Sequence, residues 1–186
     1  MKFDIPGEEW KKARIPHEIF LTNMAGNHVL MFISALGMVG SFWQPLAMVP
    51  IASLCVLLYT IWRAKQAQKP DSGLSWFVMC HWQIAAKRSW FFIYMLMMMS
   101  AVATLGWVGY AYLGMMKIAA YATVGGIGIL PTLVTVLILI VMESDALHLA
   151  KNCRLPDSIV EQFPDPGTTT VIEDIDYSVR PEDRVK

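Results

Sequence analysis

Two long stretches of the chain carry almost no charged side chain, and polar segments flank and separate them. Residues 26–62 contain no Asp, Glu, Lys or Arg, and in residues 89–142 the one charged side chain is Lys117. About 20 apolar residues in a helix cross the hydrocarbon core of a bilayer, where the backbone must satisfy its own hydrogen bonds. The pattern therefore predicts an all-α integral membrane protein.

Each uncharged stretch is long enough for two helices. The first contains a turn before Pro45, a residue that suits the first turn of a helix, and the second is divided by Lys117. We expect four transmembrane helices, arranged as two helical hairpins, at 26–43, 45–62, 89–114 and 118–142. The predicted organisation is an N-terminal tail, hairpin 1, a central loop, hairpin 2 and a C-terminal tail, at 1–25, 26–62, 63–88, 89–142 and 143–186.

The distribution of cationic residues predicts how the helices are oriented. Fourteen of the fifteen Lys and Arg residues lie in the two tails and the central loop. Because cytoplasmic segments are enriched in Lys and Arg, both termini are expected in the cytoplasm. The first 25 residues are charged and have no apolar core, so no cleavable signal peptide is predicted. This short multi-pass topology is typical of a protein of the bacterial inner membrane.

Overall composition excludes some classes of function. The formal net charge is zero, which gives no electrostatic argument for a nucleic-acid partner. Three scattered cysteines do not form a disulfide framework. No phosphate-binding glycine loop, nucleophile elbow or paired cysteine motif is present. We expect a protein that is not an enzyme and holds no cofactor or metal.

The polar segments have apolar features of their own. Residues 72–88 predict an interfacial helix in the cytoplasmic loop, leading into the third span, with its membrane anchors at Trp76, Trp82, Lys87 and Arg88. The N-terminal tail is a candidate for a second interfacial helix, interrupted by Pro16. In the C-terminal tail, residues 168–179 fit either a strand that adds to a partner's sheet or a disordered acidic tail.

The histidines are candidate ligands. His17, His28, His81 and His148 all fall near predicted cytoplasmic ends of the spans, where a haem or metal site could use His28, His81 and His148. Haem-binding bundles generally place their axial histidines deeper between helices. We therefore favour polar residues at the membrane interface over ligands.

The fourth predicted span contains a glycine-rich segment that ends at a proline. Two interpretations stay open: a helix break of the kind that builds transport sites, and close helix packing through small residues. Ala122 and Gly126 share a helix face, and the third span supplies small residues opposite. The residues concerned are Gly106, Gly109, Ala122, Gly125, Gly126, Gly128 and Pro131.

Charged groups near the ends of hairpin 2 are expected to meet. Glu143 and Asp145 end the fourth span at the depth where Lys87 and Arg88 begin the third, so they are expected to pair at the surface or to contact head groups. The spans themselves contain no charge, and this absence argues against a proton-coupled transporter.

These features favour a non-catalytic structural or assembly subunit of a larger inner-membrane complex, such as a secretion, transfer or respiratory assembly. The expected partners are membrane lipids and other membrane protein subunits, in a homo- or hetero-oligomer. One alternative is a small homo-oligomeric transporter or channel that uses the helix break between Gly125 and Pro131. Another is a haem or metal redox protein of the membrane.

Overall fold

A computed structural model describes residues 1–31, 33, 37, 43–167 and 169–173. The chain is mostly helical. In the described part, three helices are long and apolar enough to cross a membrane: Met48–Ala67, Trp76–Tyr112 and Lys117–Lys151. They correspond to the second, third and fourth predicted spans. Half of the first predicted span, 26–43, lies outside the described residues.

The helices are numbered in chain order. Helix α1 is Glu9–Thr22 and runs on as a wide-turn π segment, Asn23–Met31. Helix α2 is Trp43–Ala67, a 3-10 turn follows at Pro70–Ser72, and α3 is Trp76–Tyr112. The last long helix, Lys117–Lys151, consists of α4 (Lys117–Thr123), a second π segment (Val124–Ile129) and α5 (Leu130–Lys151). Helix α6 is Asp157–Gln162, and two short strands are β1 (Lys2–Phe3) and β2 (Val171–Glu173).

A tight turn joins α3 to the long helix and makes an antiparallel hairpin. The carbonyl of Gly109 accepts from the backbone N–H groups of Leu113, at 3.2 Å, and Met115, at 2.9 Å. Gly114 adopts φ +69°, a left-handed conformation that glycine takes without steric cost. Such a glycine commonly ends a helix. The helices reach further than the predicted spans, because α2 and α5 continue into the polar segments that follow and α3 begins in the polar segment that precedes its span.

The hairpin packs through two glycines, one on each helix. A Cβ on Gly106 would lie 2.7 Å from Cγ2 of Val124, and one on Gly128 would lie 3.5 Å from Val102. Ala122 and Gly126, the predicted packing pair, are instead exposed, and open space surrounds Gly126. Within the hairpin, the close contacts therefore lie at Gly106 and Gly128, and the Ala122–Gly126 face lies outside them.

The glycine-rich segment widens the helix without breaking it. Proline has no N–H, so the helical hydrogen-bond ladder cannot pass Pro131 unchanged. The chain responds with the π turn Val124–Ile129, and the hydroxyl of Thr132 donates to the carbonyl of Gly128 at 2.8 Å. The expected helix break between Gly125 and Pro131 is therefore wrong, because the helix continues to Lys151.

The N-terminal segment belongs to the helical bundle. Helix α1 continues through Pro16, contrary to the predicted interruption. Its buried face consists of Ala13, Pro16, His17 and Phe20, and it packs against α3 and α5. Burial of this face in protein compensates for the hydrogen bond that Pro16 cannot donate.

The predicted interfacial helix in the central loop forms the first three turns of α3. Its two tryptophans are buried: Trp76 donates through its indole N–H to the carbonyl of Phe163 at 2.8 Å, and Trp82 packs beside Tyr59. Gln83 donates to the carbonyl of Ala64 at 2.8 Å, so this segment is also held by α2. Trp76 and Trp82 are thus internal packing residues, and their assignment as membrane anchors is not supported.

The N-terminus and the strand Val171–Glu173 meet beside the last turns of α5. Strands β1 and β2 pair antiparallel, and the amino group of Met1 contacts the carbonyl of Leu155 at 3.1 Å and a carboxylate oxygen of Asp157 at 3.2 Å. The predicted strand in the C-terminal tail is therefore present at Val171–Glu173. It pairs with the chain's own N-terminus, while residues 174–186 lie outside the described part.

The contact at Gly106 gives a stability prediction. Gly106→Leu places a side chain where Val124 already lies, and we expect the free energy of unfolding to fall by about 1–3 kcal/mol. Gly126→Leu adds the same side chain on an open, exposed surface of the partner helix, so it is the matched control. Thermal unfolding of both variants in detergent checks the prediction, and an equal loss of stability in both would contradict it.

Candidate functional site

Four polar side chains from three helices meet inside the protein. His17 comes from α1, His81 and Arg88 from α3, and Glu143 from α5. Arg88 and Glu143 reach the same level because α3 and α5 are the antiparallel helices of one hairpin. His17 enters from the buried face of α1, which packs across both. We call these four residues the buried cluster.

Hydrogen bonds join the cluster into a chain. His17 lies between the other two groups, with Nδ1 2.5 Å from Oε2 of Glu143 and Nε2 2.9 Å from Nδ1 of His81. Nη1 of Arg88 donates to the carbonyl of Met142 at 2.9 Å and lies 3.1 Å from Oε1 of Glu143, an ion contact without hydrogen-bond alignment. The predicted pairing of Arg88 with Glu143 is confirmed.

The sequence predicts exposed charge pairs at the surface, whereas the cluster is buried. The side chains of His17, His81 and Glu143 are all 0% exposed. A carboxylate loses several kcal/mol of hydration when it is buried, and only well-placed partners offset that cost. Glu143 therefore depends on His17 and Arg88. Lys87 and Asp145, the other two residues of the predicted pairing, stay exposed.

The direction of each hydrogen bond in this chain depends on the histidine tautomers. If Nδ1 of His17 donates to a carboxylate of Glu143, a neutral His17 accepts at Nε2 from Nδ1 of His81. If a protonated Glu143 donates to Nδ1 of His17, Nε2 of His17 donates to His81 instead. The bond between the two histidines can therefore run in either direction.

The cluster is arranged in a row and not around a common point. Both ring nitrogens of His17 are engaged, one by Glu143 and one by His81, which leaves neither lone pair to point at a shared ion. In the part of the chain that the structure describes, no group of three His, Cys, Asp or Glu side chains has the geometry to hold a metal ion.

The three histidines proposed as low-probability ligands are not brought together. His28 is buried on the π segment after α1 and packs edge-on against Phe92, with ring centroids 4.8 Å apart. His81 belongs to the buried cluster. His148 lies on the surface of α5, where its Nε2 contacts the side-chain amide of Asn152 at 3.0 Å.

The three cysteines are free thiols. Cys55 is exposed on α2 and Cys80 is buried on α3. Cys153 follows α5, and its partial burial raises the pKa of the thiol above its usual value. Lys2 nearby opposes that rise and Asp4 adds to it. The Cys153 side chain is therefore protonated at neutral pH and has little of the thiolate character of a nucleophile.

Sequence reasoning missed His17 as a member of the cluster, although a signal was available. Ala13, His17, Phe20, Met24 and His28 recur at intervals of three or four residues and form a single helix face. All five are buried. The proline inside this stretch hid the periodicity, because it was taken as an interruption.

Comparison of the chain with protein-family models, with curated proteins and with solved structures found no match in any of the three.

Removal of the central carboxylate tests the role of the cluster. Glu143→Ala leaves Arg88 and His17 without their buried counter-charge, and such a loss typically costs about 3–5 kcal/mol of stability. Glu143→Gln keeps a hydrogen-bond acceptor for His17 and is expected to cost less. Asp145→Asn changes an exposed carboxylate two residues away and should stay within about 0.5 kcal/mol of the wild type. Unfolding in detergent measures all three, and a loss in Asp145→Asn as large as in Glu143→Ala would refute this role.

Proposed function

We propose that this chain is a non-catalytic subunit of a larger assembly in the inner membrane, where it presents a rigid helical surface to other membrane subunits. The proposed topology is four spans in two hairpins, with the first span near residues 26–43 and both termini in the cytoplasm. The second to fourth spans correspond to the three apolar helices described above.

The outward face of the long helix Lys117–Lys151 carries this proposal. Ala122 and Gly126 are exposed there, and open space surrounds Gly125 and Gly126. Because lipid tails are as apolar as leucine, small residues on a membrane-facing helix favour contact with another helix over contact with lipid. The occupant we propose is a transmembrane helix of a different subunit.

The buried cluster supports the same proposal. It joins α1, α3 and α5, and the hydrogen bond from Asn23 to the hydroxyl of Ser53, at 2.8 Å, ties the π segment after α1 to α2. Its polar groups are engaged with one another inside the fold. A bundle held together in this way keeps the Ala122–Gly126 face in one position, which suits a structural subunit.

Copurification of the tagged protein from native membranes tests the proposal. Wild type is expected to retain partner subunits in mild detergent, and Gly126→Leu to lose them while its unfolding temperature is unchanged. Val134→Leu is the matched control, because it enlarges an exposed side chain on the same helix. Retention of the same partners by Gly126→Leu, or a wild-type protein that purifies alone, would refute the docking face.

The buried cluster favours a second candidate function, a small homo-oligomeric transporter coupled to protons. The chain from Glu143 through His17 to His81 supplies interior titratable groups, which the sequence analysis took to be absent. Protein reconstituted in liposomes would then move protons across the membrane. A pH-sensitive dye inside the liposomes would report the change in pH. His17→Gln, which keeps a donor for Glu143, would abolish the signal, while His148→Gln, on the surface of α5, would not, and thermal unfolding of His17→Gln would separate a loss of transport from a loss of stability. Equal signals from His17→Gln and wild type would exclude this function.

A further inference from the structure

A second polar feature lies at the opposite end of the hairpin from the buried cluster. Behind the turn that joins α3 to the long helix, a cavity of about 170 Å³ opens between the two helices. Gly106 lets the helices meet at its deep end, where Val124 closes the gap. Its lining residues are Gly106, Trp107, Tyr110, Lys117, Ala120 and Tyr121. We call this cavity the turn cleft.

Lys117 is the charged residue that lines the turn cleft, and no Asp or Glu lies near it in the sequence. It is the one charged residue in 89–142, and no ion pair involving it occurs among the described residues. Its Nζ lies 5.6 Å from the ring centroid of Tyr121, a cation–π contact that holds the ammonium beside the cleft. A fixed cation without an internal counter-charge is suited to an external anion.

The other polar groups of the cleft lining are compatible with an anion. Trp107 has an indole N–H and Tyr110 a phenol group, and both are groups that can donate. Among the described residues, no acidic side chain lines the cleft. A volume of about 170 Å³ is the scale of a small anionic group.

The surroundings of the cleft indicate where the phosphate comes from. Leu113, Met116 and Ile118, in and beside the turn, are 78%, 75% and 82% exposed. An aqueous loop would expose large apolar side chains to water at such a position, whereas a loop at the membrane surface exposes them to lipid. Tryptophan and tyrosine also favour the head-group level of the bilayer.

We infer that the turn cleft binds the phosphate of an anionic phospholipid, with Lys117 as its charge partner and the exposed apolar turn at the membrane surface beside it. A lipid with a cationic amine in its head group is disfavoured, because the cleft holds an ammonium and no carboxylate. The inference rests on Lys117 and the turn cleft, whereas the proposed subunit function rests on the neighbouring Ala122–Gly126 face of the same helix, so the Lys117 variants test the one and leave the residues of the other unchanged.

Mass spectrometry of the intact protein, released from nanodiscs of mixed lipid, tests this inference. The nanodiscs contain equal amounts of phosphatidylglycerol and phosphatidylcholine. Wild type is expected to retain about five times as much phosphatidylglycerol as Lys117→Ala retains. This ratio corresponds to the binding free energy that one lysine contributes at an anionic membrane surface. Lys117→Arg should keep the lipid, and Lys69→Ala, which removes an exposed lysine from the loop after α2, should match wild type.

Three outcomes would overturn the inference. The first is equal retention by wild type and Lys117→Ala, and the second is an equal loss in Lys69→Ala. The third is displacement of the lipid by millimolar inorganic phosphate, which would assign the cleft to a free anion. Circular dichroism of Lys117→Ala should match wild type, because Lys117 is exposed.

Discussion

The burial of Glu143 is the constraint on which the rest of this fold depends. A carboxylate removed from water needs opposite charge and hydrogen-bond donors at fixed positions, and no one helix can supply them. Arg88 arrives because the hairpin is antiparallel, and His17 arrives because α1 packs across the hairpin. The need of Glu143 for these partners therefore determines how the three helices meet. The contacts of Met1 and β1 at the same end of the bundle follow from the position of α1.

The hairpin depends on a different interaction, which is close packing of two helices without a contribution from the exclusion of water. Helices in lipid gain little from apolar burial against each other and depend on contact at short range. Gly106 and Gly128 provide that contact, while the wide turn before Pro131 shifts the helical register. With this shift, Ala122 and Gly126 lie outside the hairpin contact. Gly128 of the same segment packs inside the hairpin, and Gly126 lies on its outer surface.

The two ends of the hairpin are chemically unlike. At one end, charges are enclosed and neutralise each other; at the other, Lys117 lies among aromatic rings with no partner of opposite charge in that region of the sequence. An enclosed cluster suits internal rigidity, since no external ligand is needed to balance its charges. An exposed cation beside an exposed apolar turn suits the proposed anionic ligand. These contrasts are the basis of the proposals above.

Reasoning from the sequence was enough to predict the helical class, the positions of three helices that are long and apolar enough to cross a membrane, and the meeting of Arg88 with Glu143. These follow from charge-free length and from the antiparallel geometry of two consecutive helices, which are local quantities. Only the tertiary structure decided that α1 passes through Pro16, that His17 completes the cluster, that Trp76 and Trp82 face protein, and that Gly106 with Gly128 forms the close contact. Each of those depends on which surfaces of distant segments cover one another, and residue spacing alone does not distinguish burial by protein from burial by lipid.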